Sequence, residues 1–369
     1  GYKPSSTASP FSIPYRVPAR FTQAPPIMRT LELLALLALV VALVARMRAP
    51  LGRPARITVY SRDEAKQHYM RLDYMHRDAA TDDVIYQNSQ DLLNFRIGDV
   101  RDYSALTAAL RDADVVFHAA ALKQVPSCEY FPFEAVLTNI VGAENVVRSI
   151  RENDLPIETV VGISTDKACK PINVMGMTKA LQERVLIEAN RDCPDTRIMC
   201  VRYGNVIASR GSIVPLFVEQ IRNGQTLTVT LPEMTRFLLS LDRAVDTVFA
   251  AITDGRRGET FVPKVKAANI TDVAKALMGD KDLPIKYTGI RPGEKIHEIM
   301  VSEEECFRTV ERGDYYVILP VLPELRDGGD QEPALTSEYS SKDDNVGIPE
   351  LRKLLSSAGG EIERFIAGN

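Results

Sequence analysis

The chain has 369 residues, 45% of them hydrophobic and 25% charged, with a formal net charge of −4. That balance suits one large or two ordinary folded domains and excludes the basic footprint of a nucleic-acid binder. The five cysteines, Cys128, Cys169, Cys193, Cys200 and Cys306, are scattered without metal-site spacing. They read as reduced thiols of a cytoplasmic protein, and no metal is expected.

Residues 1–27 are rich in Pro, Ser, Thr and Ala without a period, the composition of a disordered segment. An apolar run, Leu31 to Ala45, follows between Arg29 and Arg46. Its unbroken part begins at Leu33 and falls short of the roughly 20 residues that span a bilayer. It also lies too far from the start for a signal peptide. A buried helix packed on a sheet is therefore expected, rather than a membrane anchor.

Arg56 to Ser61 is a β-branched apolar stretch that reads as the second strand of a dinucleotide-binding unit. A first strand and a glycine-rich turn should precede it, because a pyrophosphate sits on backbone amides that only glycine lets it approach. Before Tyr60 the only glycines are Gly1 and Gly52. The first strand and phosphate loop are thus expected to be missing. Either the loop has been lost, or residues before about Ala42 are not the natural reading of the gene.

Ser61 and Arg62 end the strand; a small hydroxyl followed by arginine suits an adenosine 2′-phosphate, favouring NADP over NAD. A charged helix is expected from Asp63 to Arg77, then a strand from Leu93 to Gly98. Asp99 and Val100 follow, placed to hold an adenine by one hydrogen bond and one apolar contact. Asp114 to Lys123 reads as a buried strand running into Ala119, Ala120 and Ala121, small enough for a ring or ribose to approach the backbone. Lys123 stands at the rim, and His118 reads as a core histidine. Glu134 to Asn153 reads as one amphipathic helix with Val136, Ile140, Ala143, Val147 and Ile150 on its buried face.

Glu158 to Ser164 is a buried parallel strand by pattern. It delivers Thr165, Asp166 and Lys167 at its carboxyl end, where open parallel sheets bind ligands. A helix with Met177, Leu181 and Val185 at helical spacing then brings in Lys179. Thr165-Asp166-Lys167 alone would be a weak motif.

The alternation predicts an α/β, Rossmann-like doubly wound parallel sheet over residues 28–202. A smaller substrate-binding domain is expected over 203–320, and an acidic linker with a closing helix, Ile348 to Ile366, over 321–369. Loops carrying Asn205, Arg210, Arg236, Arg291 and Glu294 suit a nucleotide diphosphate, which arginine grips bidentately.

Several blocks, taken together and in order, resemble one family. They are Phe117 to Tyr130, Ser164 to Lys167, Pro171 to Asn173, Met175 to Lys179, Arg202 to Val206, Ala208 to Ser212, Met234 to Phe237 and Arg291 to Lys295. The chain from about Arg56 to Asn369 is similar to the CapD-like polysaccharide-biosynthesis family of extended short-chain dehydrogenase/reductases. Within that family it resembles the capsule-type UDP-N-acetylglucosamine 4,6-dehydratases that invert C5. The resemblance implies tightly bound NADP(H), a UDP-N-acetylhexosamine substrate and a homo-oligomer, often a hexamer. It also implies a lyase reaction: oxidation at sugar C4, loss of water across C5 and C6, and return of the hydride to C6.

On that implication Asp166 is the acid for the departing hydroxyl if burial raises its pKa, and Lys167 the base at C5 if desolvation lowers its own. Thr165 binds the C4 oxygen, and Lys179 holds the nicotinamide ribose. Met175 stands where most of the superfamily carries a tyrosine. A thioether cannot exchange a proton, so Lys167, Thr165 or a water must take the C4 hydroxyl proton. The capsule-type branch shows the same replacement. Two alternatives stand beside this reading: a UDP-sugar 4-epimerase, and an inactive homologue that lacks the phosphate loop.

Overall fold

The computed structural model describes residues 30–34, 54–75, 93–207, 213–326 and 331–356. The expected disorder of residues 1–27 lies outside them. In chain order the first half is β1 (Thr30–Leu34), β2 (Arg56–Ser61), α1 (Glu64–Met75), β3 (Leu93–Ile97), α2 (Tyr103–Leu110), β4 (Val115–His118) and α3 (Val125–Tyr130). Then come α4 (Pro132–Ala135), a π-helical turn (Val136–Val141), α5 (Gly142–Asn153), β5 (Thr159–Ile163), α6 (Val174–Glu188) and β6 (Arg197–Val201).

β1 corrects two expectations. Leu31 to Leu34 form a strand, not the start of a helix, and a first strand is present. It pairs in parallel with β2 on one side and β4 on the other. Residues 35–45 lie outside the described set. No helix among the described residues is long and apolar enough to cross a membrane.

The second half runs through β7 (Asn205–Val206), α7 (Ile213–Arg222), β8 (Leu227–Val229), β9 (Thr235–Leu239), α8 (Leu241–Asp254), β10 (Thr260–Pro263), β11 (Ala267–Asn269), α9 (Ile270–Met278) and β12 (Ile285–Tyr287). It ends with β13 (Ile299–Val301), α10 (Glu303–Cys306), β14 (Thr309–Arg312), β15 (Tyr315–Ile318), β16 (Tyr339–Ser340) and α11 (Ile348–Ser356).

The main sheet has nine strands in the order β14-β15-β10-β6-β5-β4-β1-β2-β3. From β3 to β10 every pairing is parallel; β15 and β14 close the edge antiparallel. The strand order reverses on either side of β1, the switch point at which such sheets bind ligands. β4 and β5 are buried along their whole length, as parallel strands covered on both faces must be.

The domain boundary expected after residue 202 is not where the sheet ends. The chain returns to it with β10, β14 and β15, and α8 packs beneath β5 and β6. The smaller domain is assembled from separate stretches. Phe217, Leu227, Leu238, Val273, Leu277, Leu351 and Leu355 share its core. Thus α11 belongs to this second core, and of the helix expected over 348–366 the structure describes Ile348–Ser356.

Two helices depart from their apolar pattern. In the stretch 134–153 the π turn adds a residue to the local repeat, so Thr138 and Asn139 turn inward in place of Val136 and Ile140. In α6 the expected stripe is inverted: Met177 and Leu181 are exposed, while Lys179, Gln182 and Glu183 are buried. Its inner face delivers polar groups to the sheet end, and its apolar stripe is left outside.

Candidate active site

β5 can pack tightly under α6 because Gly162 has no side chain; a Cβ there would collide with Leu186 Cδ1. Beyond β5 the chain stays registered with the continuation of β6. Ser164 N donates to Val201 O at 2.7 Å, and Asp166 N to Tyr203 O at 3.1 Å. Thr165 caps a short 3₁₀ turn, Asp166–Ala168, through its hydroxyl. These contacts leave the three predicted residues together at the strand end.

Asp166 is 1% exposed. Its Oδ1 accepts from Thr165 Oγ1 at 2.8 Å and from Lys167 Nζ at 3.1 Å. Its Oδ2 is buried without a hydrogen-bond partner and points toward Gly204, where even a Cβ would stand 3.4 Å away. A buried carboxylate oxygen held this way is costly unless something donates to it. Lys167 Nζ is also 3.4 Å from Asn205 Oδ1 and 3.3 Å from Glu298 Oε1.

The expectation that desolvation would free the Lys167 amine is overturned. Burial does disfavour its ammonium, but the charges of Asp166 and Glu298 outweigh that and raise its pKa above the ordinary lysine value. In this arrangement Lys167 holds a proton.

Lys179 fits the expected place. It is buried, and its Nζ donates to Ile163 O at 2.5 Å and to Gln182 Oε1 at 2.7 Å. Burial lowers its pKa to about 8. Met175 packs in an apolar cluster with Cys128 and Ala135, so it fills space and handles no proton. His118 is a core histidine: burial lowers its pKa to about 3, and both ring nitrogens lack partners.

The small-residue loop after β4 is pinned by a residue that sequence reasoning missed. Asn139 exchanges hydrogen bonds with Leu122 N and Leu122 O and donates to Thr178 Oγ1, beside Lys179. The π turn is what points it inward. Ala119 is buried, while Ala120 and Ala121 are half-buried. Lys123 lies exposed at the rim, its pKa lowered by partial burial and by the charge of Lys66.

Ser61, Arg62 and Asp99 meet at the ends of β2 and β3, with Arg62 3.3 Å from Asp99. Arg101 grips the same carboxylate through two nitrogens. Burial would raise the Asp99 pKa, but Arg101 and Arg62 hold it below the usual carboxylate range. Val100 packs into the core against Gly142.

The residues therefore suit the two ends of a dinucleotide: paired guanidiniums beside a hydroxyl at the ribose-phosphate end, and the buried Lys179 with a small-residue loop at the other. The diphosphate between them does not fit as well. Between β1 and β2 the only glycine is Gly52, and the usual cradle needs several.

On the substrate side the outcome is mixed. Arg210 lies outside the described residues. Arg236 is buried and already donates to the carbonyls of Thr235, Lys295 and Ile296. It orders the 295–298 turn rather than offering a free fork. Arg291 is exposed, 3.9 Å from Glu294, and Glu294 Oε2 is buried without a partner.

Sequence reasoning also missed Glu298, 2% exposed and in contact with Lys167. Its one signal was an acid placed immediately before the apolar strand Ile299–Val301. It missed a buried ion cluster as well. Arg202 donates to Glu183 at 2.6 Å, to Glu305 at 2.8 Å and to Met300 O at 2.8 Å. Glu183 in turn accepts from Ser164 at 2.5 Å, so the cluster ties β5, α6 and α10 together beneath the site.

A parallel α/β sheet with reactive side chains just beyond the carboxyl end of one of its strands is the layout of Rossmann-type, nucleotide-binding folds. The family model described as "Polysaccharide biosynthesis protein" matches residues 42–320, and the chain belongs to that family. It is a short-chain dehydrogenase/reductase of the class that modifies nucleotide sugars. Among its relatives, a UDP-glucose 4-epimerase from Rickettsia akari (strain Hartford) is 43% identical over 310 residues, covering 81% of this chain and 86% of that protein.

Of solved structures, Pen from Bacillus thuringiensis superimposes with a TM-score of 0.77 at 29% identity, over 90% of this chain and 99% of that one. DesIV, a dTDP-glucose 4,6-dehydratase from Streptomyces venezuelae solved with NAD and TYD bound, gives a TM-score of 0.60 at 18% identity. It covers 72% of this chain and 86% of that one, and shows the shared fold.

Proposed function

We propose that the chain is a UDP-N-acetylglucosamine 4,6-dehydratase, with C5 inversion, acting with NADP(H). The observation that carries this reading is the pairing of Asp166 and Lys167 at the end of β5, with Thr165 beside them. Dehydration needs an acid for the departing C6 hydroxyl and a base for the C5 proton, adjacent and sheltered from water. Bound dinucleotide would supply the hydride acceptor and donor. Ser61, Arg62 and Arg101 would hold its phosphorylated ribose, and Lys179 its nicotinamide ribose.

The protein's own part is proton handling. The Lys167 ammonium first passes its proton to Asp166 Oδ1, 3.1 Å away. The neutral amine then takes the proton at C5, and the protonated carboxyl donates at the leaving oxygen, which departs as water. Thr165 steadies the C4 oxygen.

A second reading, a UDP-sugar 4-epimerase, is favoured by the names of the relatives at 43% identity, which support it better than they support dehydration. Both readings share oxidation at C4. An epimerase needs neither an acid at C6 nor a base at C5, and that is why the geometry favours dehydration. The products separate the two: incubation with UDP-N-acetylglucosamine should give a sugar lighter by one water. An unchanged mass with inverted C4 would establish the epimerase, and no product at all the inactive homologue.

We also propose that the protein is a homo-oligomer. Tyr130, Phe131 and Phe133 at and between α3 and α4, and Met177 and Leu181 on α6, are exposed apolar side chains on helices that pack together. Exposed apolar groups gathered in one region suit an association surface, which a second copy of the chain would cover. Phe133→Glu should shift the protein toward monomer in light scattering coupled to size exclusion. An unchanged mass would remove this face as the interface.

A further inference from the structure

We infer that Glu298 is the positioning residue that fixes the Lys167 amine at the end of β5 and keeps it protonated at rest. This deepens the proposed function, in which Lys167 handles a proton, and rests on that reading. Glu298 comes from the far part of the chain. Its N–H donates to Ser341 Oγ at 2.9 Å and its carbonyl accepts from Ser341 N at 2.8 Å. Ser341 Oγ is in turn 2.8 Å from Thr235 Oγ1. The carboxylate is thus set in place by the β13–β16 pairing and by β9, none of which belongs to the main sheet. Its Oε1 lies 3.3 Å from Lys167 Nζ and 3.6 Å from Arg236 Nε.

An ion pair that serves only to hold a fold satisfies its oxygens, as Arg202 does for Glu183 and Glu305. Glu298 does not. Its Oε2 is buried and partnerless, and so is Oδ2 of Asp166, whose Oδ1 pairs with the same ammonium. Two unfilled carboxylate oxygens around one amine leave capacity for a further donor or proton, which a structural pair would not retain.

The charged groups facing Lys167 are Asp166 from its own turn, Glu298 ahead of β13 and Arg236 from β9. Asp166 is the larger of the two charges that favour the ammonium and Glu298 the second, and together they work against burial and Arg236. Packing of β13 against the Asp166–Ala168 turn and the proton on Lys167 are thereby linked.

The test reads the Lys167 amine directly, without relying on turnover. Trace labelling with acetic anhydride acts only on neutral amines, and mass spectrometry of the Lys167 peptide gives the labelling midpoint across pH. Glu298→Gln keeps the shape and removes the charge. An opposite charge at this range moves a pKa by about one unit or more, so the variant should label Lys167 about tenfold more at a given pH below the midpoint. Exposed lysines such as Lys353 should be unaffected. A merely structural role would lower the melting temperature and leave the midpoint alone.

An unchanged midpoint in a folded Glu298→Gln protein overturns the inference. Should that variant fail to fold, Glu298→Asp carries the test: its retracted carboxylate must lower the midpoint by less than a unit, and no shift overturns the inference. A shifted midpoint in a protein that makes no dehydrated sugar would leave Glu298 in this role and count against the proposed function instead.

Discussion

Asp166→Asn should lower turnover by about 10²- to 10⁴-fold, the usual contribution of a positioned acid, while leaving the fold intact. The amide keeps an oxygen to accept from Thr165 Oγ1 and Lys167 Nζ, so the turn that holds the strand end persists. What is lost is a proton to give, and an Oδ2 that is buried and unpaired in the wild type. Sugar oxidised at C4 should then accumulate without losing water. Lys167→Ala tests the other half: it should fail to remove the C5 proton, so near-normal dehydration by that variant would remove Lys167 as the base. Near-normal dehydration by Asp166→Asn, followed as product per enzyme per minute, would remove Asp166 as the acid.

The second large effect concerns stability. Arg202→Met should destabilise the protein by about 3–5 kcal/mol at neutral pH, because it leaves two buried carboxylates without their counter-charge. Arg202 is 3% exposed, and Glu183 and Glu305 both depend on it. Urea unfolding at pH 7 measures the loss, and a wild-type midpoint would refute the claim.

The same cluster gives a pH signature. Burial would raise the Glu305 pKa, but the Arg202 charge and its hydrogen bonds outweigh that and bring it to about 2, against 4.5 for the free side chain. A depressed carboxylate stabilises the fold at pH values above its unfolded pKa, and that contribution is lost as pH falls from about 4.5 toward 2. The shift corresponds to roughly 3 kcal/mol. The acid limb of the stability curve should flatten in Arg202→Met.

Where β-branched apolar runs are buried on both faces, the residue pattern was enough. β2, β4 and β5 begin within a residue of their expected starts, because strands inside a parallel sheet are apolar along most of their length. The reactive turn was legible for the same reason: Thr165, Asp166 and Lys167 break that pattern abruptly at a strand end. Composition misled at Leu31 to Leu34, where an all-apolar run does not distinguish a buried strand from a helix. Met177 and Leu181 misled because their spacing is helical whether the stripe faces the core or another molecule.

Glu298 and Arg202 were beyond local reading. Each acts on a residue about a hundred positions away, Glu298 on Lys167 and Arg202 on Glu305. The electrostatics of Lys167 were misjudged for that reason, since desolvation is visible in a strand pattern and a distant carboxylate is not. The domain boundary failed likewise, because β10, β14 and β15 rejoin the sheet after a long excursion.

One measurement bears most directly on the central claim that Asp166 and Lys167 expel water from a nucleotide-linked hexose. The protein is incubated with UDP-N-acetylglucosamine in D₂O, and the sugar is read by mass spectrometry and proton NMR. Dehydration predicts a product lighter by one water, with deuterium at C5 and a new methyl group at C6. A product of unchanged composition, inverted at C4 and without deuterium at C5, would contradict it.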